Sequence, residues 1–172
     1  TPSELDFALR SLTASGGTSS DGILFNVGSS QATGATTRLT ISDNAIVRAE
    51  NGIKASRVDK PTPSGTGIVF DGKNGTVYGD VTLQEDLKIG EGESLTLDDG
   101  ASLNAGNHNV IVDGGTLDEN LANSLGNSVK YALTITTQPT SQTVTEGGTA
   151  TFTVVTSGTE PLSYKWQQST DS

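Results

Sequence analysis

Apolar residues in this chain fall in short pairs and triplets separated by Gly, Asp, Asn or Glu, and between Asp80 and Gly115 their spacing becomes regular. Leu87, Leu95 and Leu103 recur every eight residues, with Ile89, Leu97 and Ala105 each two positions further on. Two like-facing positions with one residue between them have the period of a β-strand, so each unit predicts a short strand with its apolar side chains turned to one interior. The residues between the pairs suit tight turns. Three such units close a triangular coil of roughly two dozen residues, and coils of this kind stack into a solenoid. The expected fold class is mostly β, built on a parallel β-helix, right-handed as parallel crossovers usually are.

Upstream the pattern loosens. The stretches GILFNVG from Gly22, TRLTISDNAIVRAENGIKAS and GTGIVFDGKNGTVYGDVTL predict further strands. Asp43-Asn44, Asn51-Gly52, Asp71-Gly72 and Asn74-Gly75 are their expected corners, because these residues accept left-handed backbone. Asn-Gly and Asp-Gly also start β-hairpins, so an antiparallel hairpin stack is the alternative. The eight-residue register favours the parallel coil. The segment VDKPTPSGTG at 58–67, with Pro61 and Pro63, predicts a loop excursion of the kind that carries binding function on a solenoid.

Both ends of the coil region predict caps. In SELDFALRSLTASGG, Leu5, Ala8, Leu9 and Leu12 share a helical face, Ser3 is placed to cap it and Gly16-Gly17 to stop it, giving a short N-terminal capping helix. Leu5, Phe7 and Leu9 also alternate, which is the strand alternative. After Gly115, Leu117, Leu121 and Leu125, spaced four apart, with Asp118 near the start and Gly126 as a stop, predict a second short helix.

The last stretch differs in kind. It has true alternation at Ala150, Phe152 and Val154, a TEGG turn, and a further predicted strand at Tyr164-Lys165-Trp166-Gln167. Over Thr136 to Ser172 it resembles the start of a bacterial immunoglobulin-like domain, QPTSQTVTEGGTATFTV matching strands A and B and PLSYKWQQS matching strand C. The resemblance implies an incomplete immunoglobulin-like β-sandwich with Trp166 in its core, cut off after its third strand, and strand B lacks Cys as is usual among bacterial relatives. Half a sandwich exposes its inner faces, so these strands are expected to pack on the solenoid, to pair with another molecule, or to be poorly ordered. The repeats over 60–115, including GDVTLQEDLKIGEGESLTLDDGASL, are similar to β-helical repeats of large surface proteins of Gram-positive and gut bacteria. That implies an adhesin-like protein, secreted or attached to the bacterial cell surface. The expected domains are a β-helix with its capping helix over 1–133 and the partial module over 134–172.

Composition narrows the partners. Only 32% of residues are hydrophobic and 5% aromatic, so any core is thin and repetitive. Twenty acidic against ten basic residues give a formal charge of −10 and a pI near 4.3, which argues against nucleic acid or an anionic membrane surface as partner. No run approaches the ~20 apolar residues of a membrane span, so no membrane insertion is expected in this segment. Cysteine is absent, which removes disulfides and thiolate metal sites. Methionine is absent too, and the chain is expected to be a processed product or an excised piece of a longer one.

Candidate chemistry is sparse. Glycoside hydrolysis needs two carboxylates about 5 to 9.5 Å apart across one sugar. Asp71, Asp80, Asp98, Asp99 and Asp113 are available, but nearly all sit beside Gly at corners, where turn chemistry explains them. No catalytic residues are assigned. Arg57 and Lys60 flank the proline segment and, with Arg48, form a candidate ligand-binding group for an acidic sugar. Asp71 and Asn74 in DGKNG offer hard oxygens to calcium, the one cofactor considered, although no full calcium loop is present. His108 stands alone among asparagines and makes no transition-metal site. Tyr164 and Trp166 have the chemistry to stack on sugar rings, but a core role explains Trp166 better. The functional expectation is a non-catalytic extracellular stalk or display scaffold that binds a host or microbial glycan or a surface protein. The alternative is a carbohydrate-active enzyme, a polysaccharide lyase or glycoside hydrolase, on the same fold.

Overall fold

The computed structural model of the chain describes residues 4–5, 8–14, 23–26, 36–56 and 59–168. The chain divides into two compact units, Thr1–Val129 and Lys130–Ser172. In the first, the strands are β1 (Glu4–Leu5), β2 (Ala8–Ala14), β3 (Ile23–Asn26), β4 (Thr36–Thr37), β5 (Leu39–Ala49), β6 (Ile53–Ser56), β7 (Pro63–Asp71) and β8 (Asn74–Tyr78). They continue as β9 (Asp80–Thr82), β10 (Leu87–Ile89), β11 (Ser94–Leu97), β12 (Ser102–Asn104), β13 (Val110–Val112) and β14 (Thr116–Leu117), followed by the helix α1 (Glu119–Leu125) and a 3-10 turn (Gly126–Ser128). Val129 opens the short strand β15 (Val129–Tyr131). The protein is mostly β, arranged in several sheets.

The three eight-residue units form three strands in three different sheets: β10 carries Leu87, β11 carries Leu95 and β12 carries Leu103. Each pairs in parallel with a strand about three units away. Leu87 stands beside Val110, Leu95 beside both Gly75 and Leu117, and Leu103 beside Val81. Side-chain hydrogen bonds across the same ladders join residues 20, 22 and 23 positions apart, Ser94 to Asn74, Ser102 to Asp80 and the amide of Asn109 to Asp86. The inward positions are sealed: Leu87, Ile89, Leu95, Leu103, Ala105, Val110 and Val112 are buried. Leu97 departs from its repeat and is 36% exposed. It pairs with Val77 on one side, but β14 stops at Leu117, opposite Leu95, so no strand continues the ladder past it.

Within the six-stranded sheet of the first unit, parallel order breaks between β7 and β8. Strands β7 and β8 form an antiparallel hairpin in which Asp71 faces Asn74 and Phe70 faces Gly75. The turn between them is Gly72-Lys73, with Gly72 at φ +62°, the left-handed first position that a two-residue hairpin loop favours glycine for. Asp71-Gly72 and Asn74-Gly75 are thus the two sides of a hairpin turn and not corners of a coil. Asp43 and Asn44, at φ 56° and 58°, lie within β5, where the ladder shifts register between Ile41 and Ala45. Here the expected corner is a bulge, and the Asn44 carboxamide accepts the amide of Thr82 at 2.8 Å.

Strand β7 is buried on both faces, and that divides the core in two. Ile68 and Phe70 belong to a cluster with Val77, Leu87, Ile89, Leu95 and the helix residues Leu121 and Leu125. Val69, pointing the other way, joins Leu39, Ile41, Ala45, Val47, Ala49 and Ile53. Strand alternation produces the division, since successive side chains leave opposite faces of the sheet. At the other end of this unit, α1 forms as its sequence predicts: the Asp118 carboxylate caps the Leu121 amide at 3.1 Å and Gly126 ends the helix.

The N-terminal capping helix is not found. Glu4–Leu5 and Ala8–Ala14 are strands, paired in parallel with β4 and β5, and the loop expected at 58–67 is likewise shortened because β7 begins at Pro63. Alternation and helical periodicity coincide over so few residues, and an available β5 edge gives the backbone ladder partners that decide for strand.

In the second unit, β16 (Thr134–Thr137) and β17 (Val155–Ser157) form an antiparallel pair. Ala150, Phe152 and Val154 and the segment Tyr164 to Gln167 do not form strands. Alternation makes a strand only where a neighbouring segment supplies ladder bonds, and among the described residues none is paired with these.

Candidate functional site

One face of β8 carries Asn74, Thr76 and Tyr78, the last packed against the second core beside Val69, while Gly75 and Val77 between them are buried against the Phe70 side of the core. Beside this face the segment Lys60, Pro61, Thr62 and Pro63 forms a wall. Together with Ile53, Val69 and Asp71 they enclose a hollow of about 300 Å³. Its floor is apolar at Val69 and aromatic at Tyr78, and its rim carries hydroxyl, carboxamide, ammonium and carboxylate groups. Such a mixture, an aromatic surface ringed by neutral donors and acceptors, suits a ligand with apolar faces and hydroxylated edges.

The charges in this hollow are matched. The Lys60 ammonium pairs with the Asp71 carboxylate, whose other oxygen accepts the Ile53 amide at 2.6 Å. Asp71 thereby pins the β6 strand to the hairpin. Burial pushes the Tyr78 phenol above its ordinary value; a hydrogen bond with Thr76 works against this, and the carboxylates of Asp98 and Asp71 add to it. The phenol therefore stays a neutral hydrogen-bonding group through the physiological range.

Three of the residues singled out by sequence, Lys60, Asp71 and Asn74, line this one hollow. Arg48 does not join them. It leaves β5 on the face of Ile46, its guanidinium lies over the Phe70 ring at 3.9 Å, and it pairs with Glu93 at 2.6 Å, whereas Asp71 and Val69 lie on the opposite side. Alternation along β5 and β7 separates them, so the basic group of Arg48, Arg57 and Lys60 does not converge as expected from sequence; Arg57 lies outside the described residues. Arg48 lines a second hollow, of about 470 Å³, with Lys73, Lys88, Glu85, Asp86 and Glu93, where cations and anions are again interleaved.

The proposed calcium ligands have other engagements. Asp71 is held by Lys60 and the Ile53 amide, and among the described residues no group of three or more His, Asp or Glu is placed to hold a metal. The remaining acids are dispersed: Asp80 accepts the Ser102 hydroxyl at 2.7 Å, Asp113 pairs with Lys88 at 2.6 Å, and Asp98 and Asp99 are exposed beside the Gly100 turn. His108 lies 3.7 Å from Asp86.

In the second unit Trp166 is 60% exposed, so it is not the core residue expected, because no second sheet covers it among the described residues. Its ring lies 6.4 Å from that of Phe152, and with Tyr164, Leu133 and Ile135 it lines an apolar hollow of about 290 Å³.

Sequence reasoning missed Tyr78 and Thr76. Their signal is the alternation Asn74-x-Thr76-x-Tyr78, which places three groups of binding chemistry on one face of one strand. No protein-family model, no curated protein and no solved structure matches this chain. No helix among the described residues is long and apolar enough to cross a membrane.

Proposed function

We propose that this chain is the scaffold of a bacterial surface or secreted protein, non-catalytic, with a glycan-recognition groove at Lys60, Thr76 and Tyr78. The parallel pairings at 20 to 23 residues are read as successive coils of a right-handed β-helix, and Lys130–Ser172 as part of an immunoglobulin-like module. One observation supports the binding role above the others. The hollow at the proline segment combines an aromatic side chain with neutral polar groups and a charge pair already matched within itself. A sugar offers the complementary surfaces, an apolar ring face and a rim of hydroxyls. The non-catalytic reading rests on the acids singled out from sequence, of which Asp71 and Asp113 are in ion pairs, Asp80 accepts a serine hydroxyl and Asp98 and Asp99 are exposed at a turn.

Affinity electrophoresis through a panel of immobilised polysaccharides, with reducing ends and unsaturated products measured in parallel, tests this reading. Retardation without product is expected. Turnover of any substrate would overturn the non-catalytic assignment in favour of a lyase or hydrolase, and retardation by none would remove glycan recognition from the scaffold.

A further inference from the structure

The groove is open along β8. That strand is bonded to β11, and β11 to β14, so Asn74, Ser94 and Thr116 stand side by side in one row, with Thr76 and Thr96 side by side in the next. Asp71 begins the first row on β7. The residues between the rows point inward: Gly75 and Leu95 are buried, and Leu117 packs on the same core. The rows themselves face outward, with Asn74, Thr96 and Thr116 exposed and Thr76 and Ser94 half-buried. All five are small side chains bearing a hydroxyl or a carboxamide, so the surface is level. Their hydroxyls are lightly held, Thr96 on the Gly75 carbonyl at 3.3 Å and Thr116 on the Glu93 carbonyl at 3.4 Å, each leaving lone pairs for a ligand.

We propose that the hollow and these rows form one continuous site for an extended, uncharged polysaccharide laid across the strands, about one sugar ring to each strand. This deepens the glycan reading given above and rests on it. Strands in a ladder are about 4.8 Å apart, a step comparable to one ring of an extended glycan with equatorial linkages. Successive rings of such a chain therefore fall over successive strands, each turned over relative to the last in a β-1,4 chain, with hydroxyls of either ring edge over the rows and one ring face against Tyr78. The ligand is uncharged because, among the described residues, the one ammonium lining the hollow, that of Lys60, is neutralised by Asp71. Among the described residues a uronate would find no unmatched cation in the hollow and would come near the Asp98 carboxylate that acts on Tyr78.

Calorimetric titration of the whole chain with β-1,4-linked gluco- and manno-oligosaccharides, disaccharide to hexasaccharide, and with oligogalacturonates of the same lengths, tests the proposal. Affinity for the neutral series is expected to rise with each ring until the ligand spans β7, β8, β11 and β14, and then to level off. Thr96→Arg, at an exposed position, is expected to lower hexasaccharide affinity about tenfold while sparing the disaccharide, and Tyr78→Ala to weaken both by a similar factor. Thr96→Ser, which keeps the hydroxyl, is expected to bind as the parent does, and circular dichroism and thermal melting of each variant confirm that it folds. Affinity independent of length, or preference for the galacturonates, would overturn the proposal. So would hexasaccharide binding unchanged in both Thr96→Arg and Tyr78→Ala, although that result leaves glycan recognition standing at another place. If no polysaccharide retards the chain and no oligosaccharide binds, the glycan reading itself falls, and this site with it.

Discussion

Arg48 on β5 and Glu93 in the turn before β11 lie 45 positions apart in sequence and 2.6 Å apart in space. The pair is set in a frame. Glu93 also accepts the Gly90 amide at 2.7 Å, and the Arg48 guanidinium both covers the Phe70 ring and donates to the Lys88 carbonyl. One side chain thus ties β5, β7 and the β10–β11 turn together over the edge of the core.

Replacing Arg48 with Ala removes the cation from a half-buried carboxylate and uncovers Phe70. The side chains of the pair are 24% and 15% exposed, between the surface and buried regimes, so a loss of about 2 kcal/mol is expected. Urea unfolding of the parent and Arg48→Ala measures it. A change under about 0.5 kcal/mol would show the pair to behave as an ordinary surface ion pair.

Leu95 and Leu97 have equivalent places in the strand pattern and unequal surroundings. Leu95 is fully buried between Gly75 and Leu117, and Leu97 is 36% exposed. Leu95→Ala is expected to cost about 3 kcal/mol, and Leu97→Ala about 1 kcal/mol or less. Equal losses in denaturant titrations would contradict the packing described.

Gly75 leaves room for Phe70. A Cβ added there would lie 2.6 Å from the Phe70 ring and 2.8 Å from the Ser94 carbonyl oxygen, so Gly75→Ala forces the hairpin away from β11. A loss of about 2 kcal/mol is expected, and Phe70→Leu in the same chain should recover part of it by vacating the ring edge. Absence of any such coupling in the double mutant would count against the close approach.

Tyr78 gives the fold an alkaline limit. Burial is the largest cause of its raised pKa, so the folded state favours the neutral phenol. That contribution is complete below the unfolded-state value of about 10 and is lost as pH rises through the higher folded value. Stability should therefore decline above about pH 10, and less steeply in Tyr78→Phe, which cannot ionise. Parallel urea midpoints for the two proteins on either side of that pH provide the comparison, and identical declines would refute it.

Trp166 is the only tryptophan, so its fluorescence reports one site. At 60% exposure beside Phe152 it should emit at long wavelength and be quenched readily by iodide. Blue-shifted, protected emission would place it in a closed core instead.

Much of the fold is legible in the spacing of apolar residues. Leu87, Leu95 and Leu103 mark strands, and Asp118, Leu121, Leu125 and Gly126 mark a capped helix, because period and cap chemistry are local properties of a few residues. The hairpin at Asp71 to Asn74 was harder, since Asp-Gly serves a coil corner and a hairpin turn equally well. The N-terminal strands were harder still, because nothing within Leu5 to Leu12 reveals that β5 offers an edge to pair with. Of the candidate groove, Lys60, Asp71 and Asn74 were visible as chemistry, but their meeting with Tyr78 was not.

The repeat of short strands, the helix after Leu117 and the acidic, cysteine-free composition all follow from residue type and neighbouring positions. Tertiary structure alone decided that β7 separates two cores, that Arg48 and Asp71 stand on opposite sides of one sheet, and that Leu97 is half-exposed where its repeat partners are buried. The physical reason is common to all three. Strand alternation sends a side chain to one of two faces, but the ladder partners that cover each face come from segments twenty or more residues away, and their register is set only when the chain has folded.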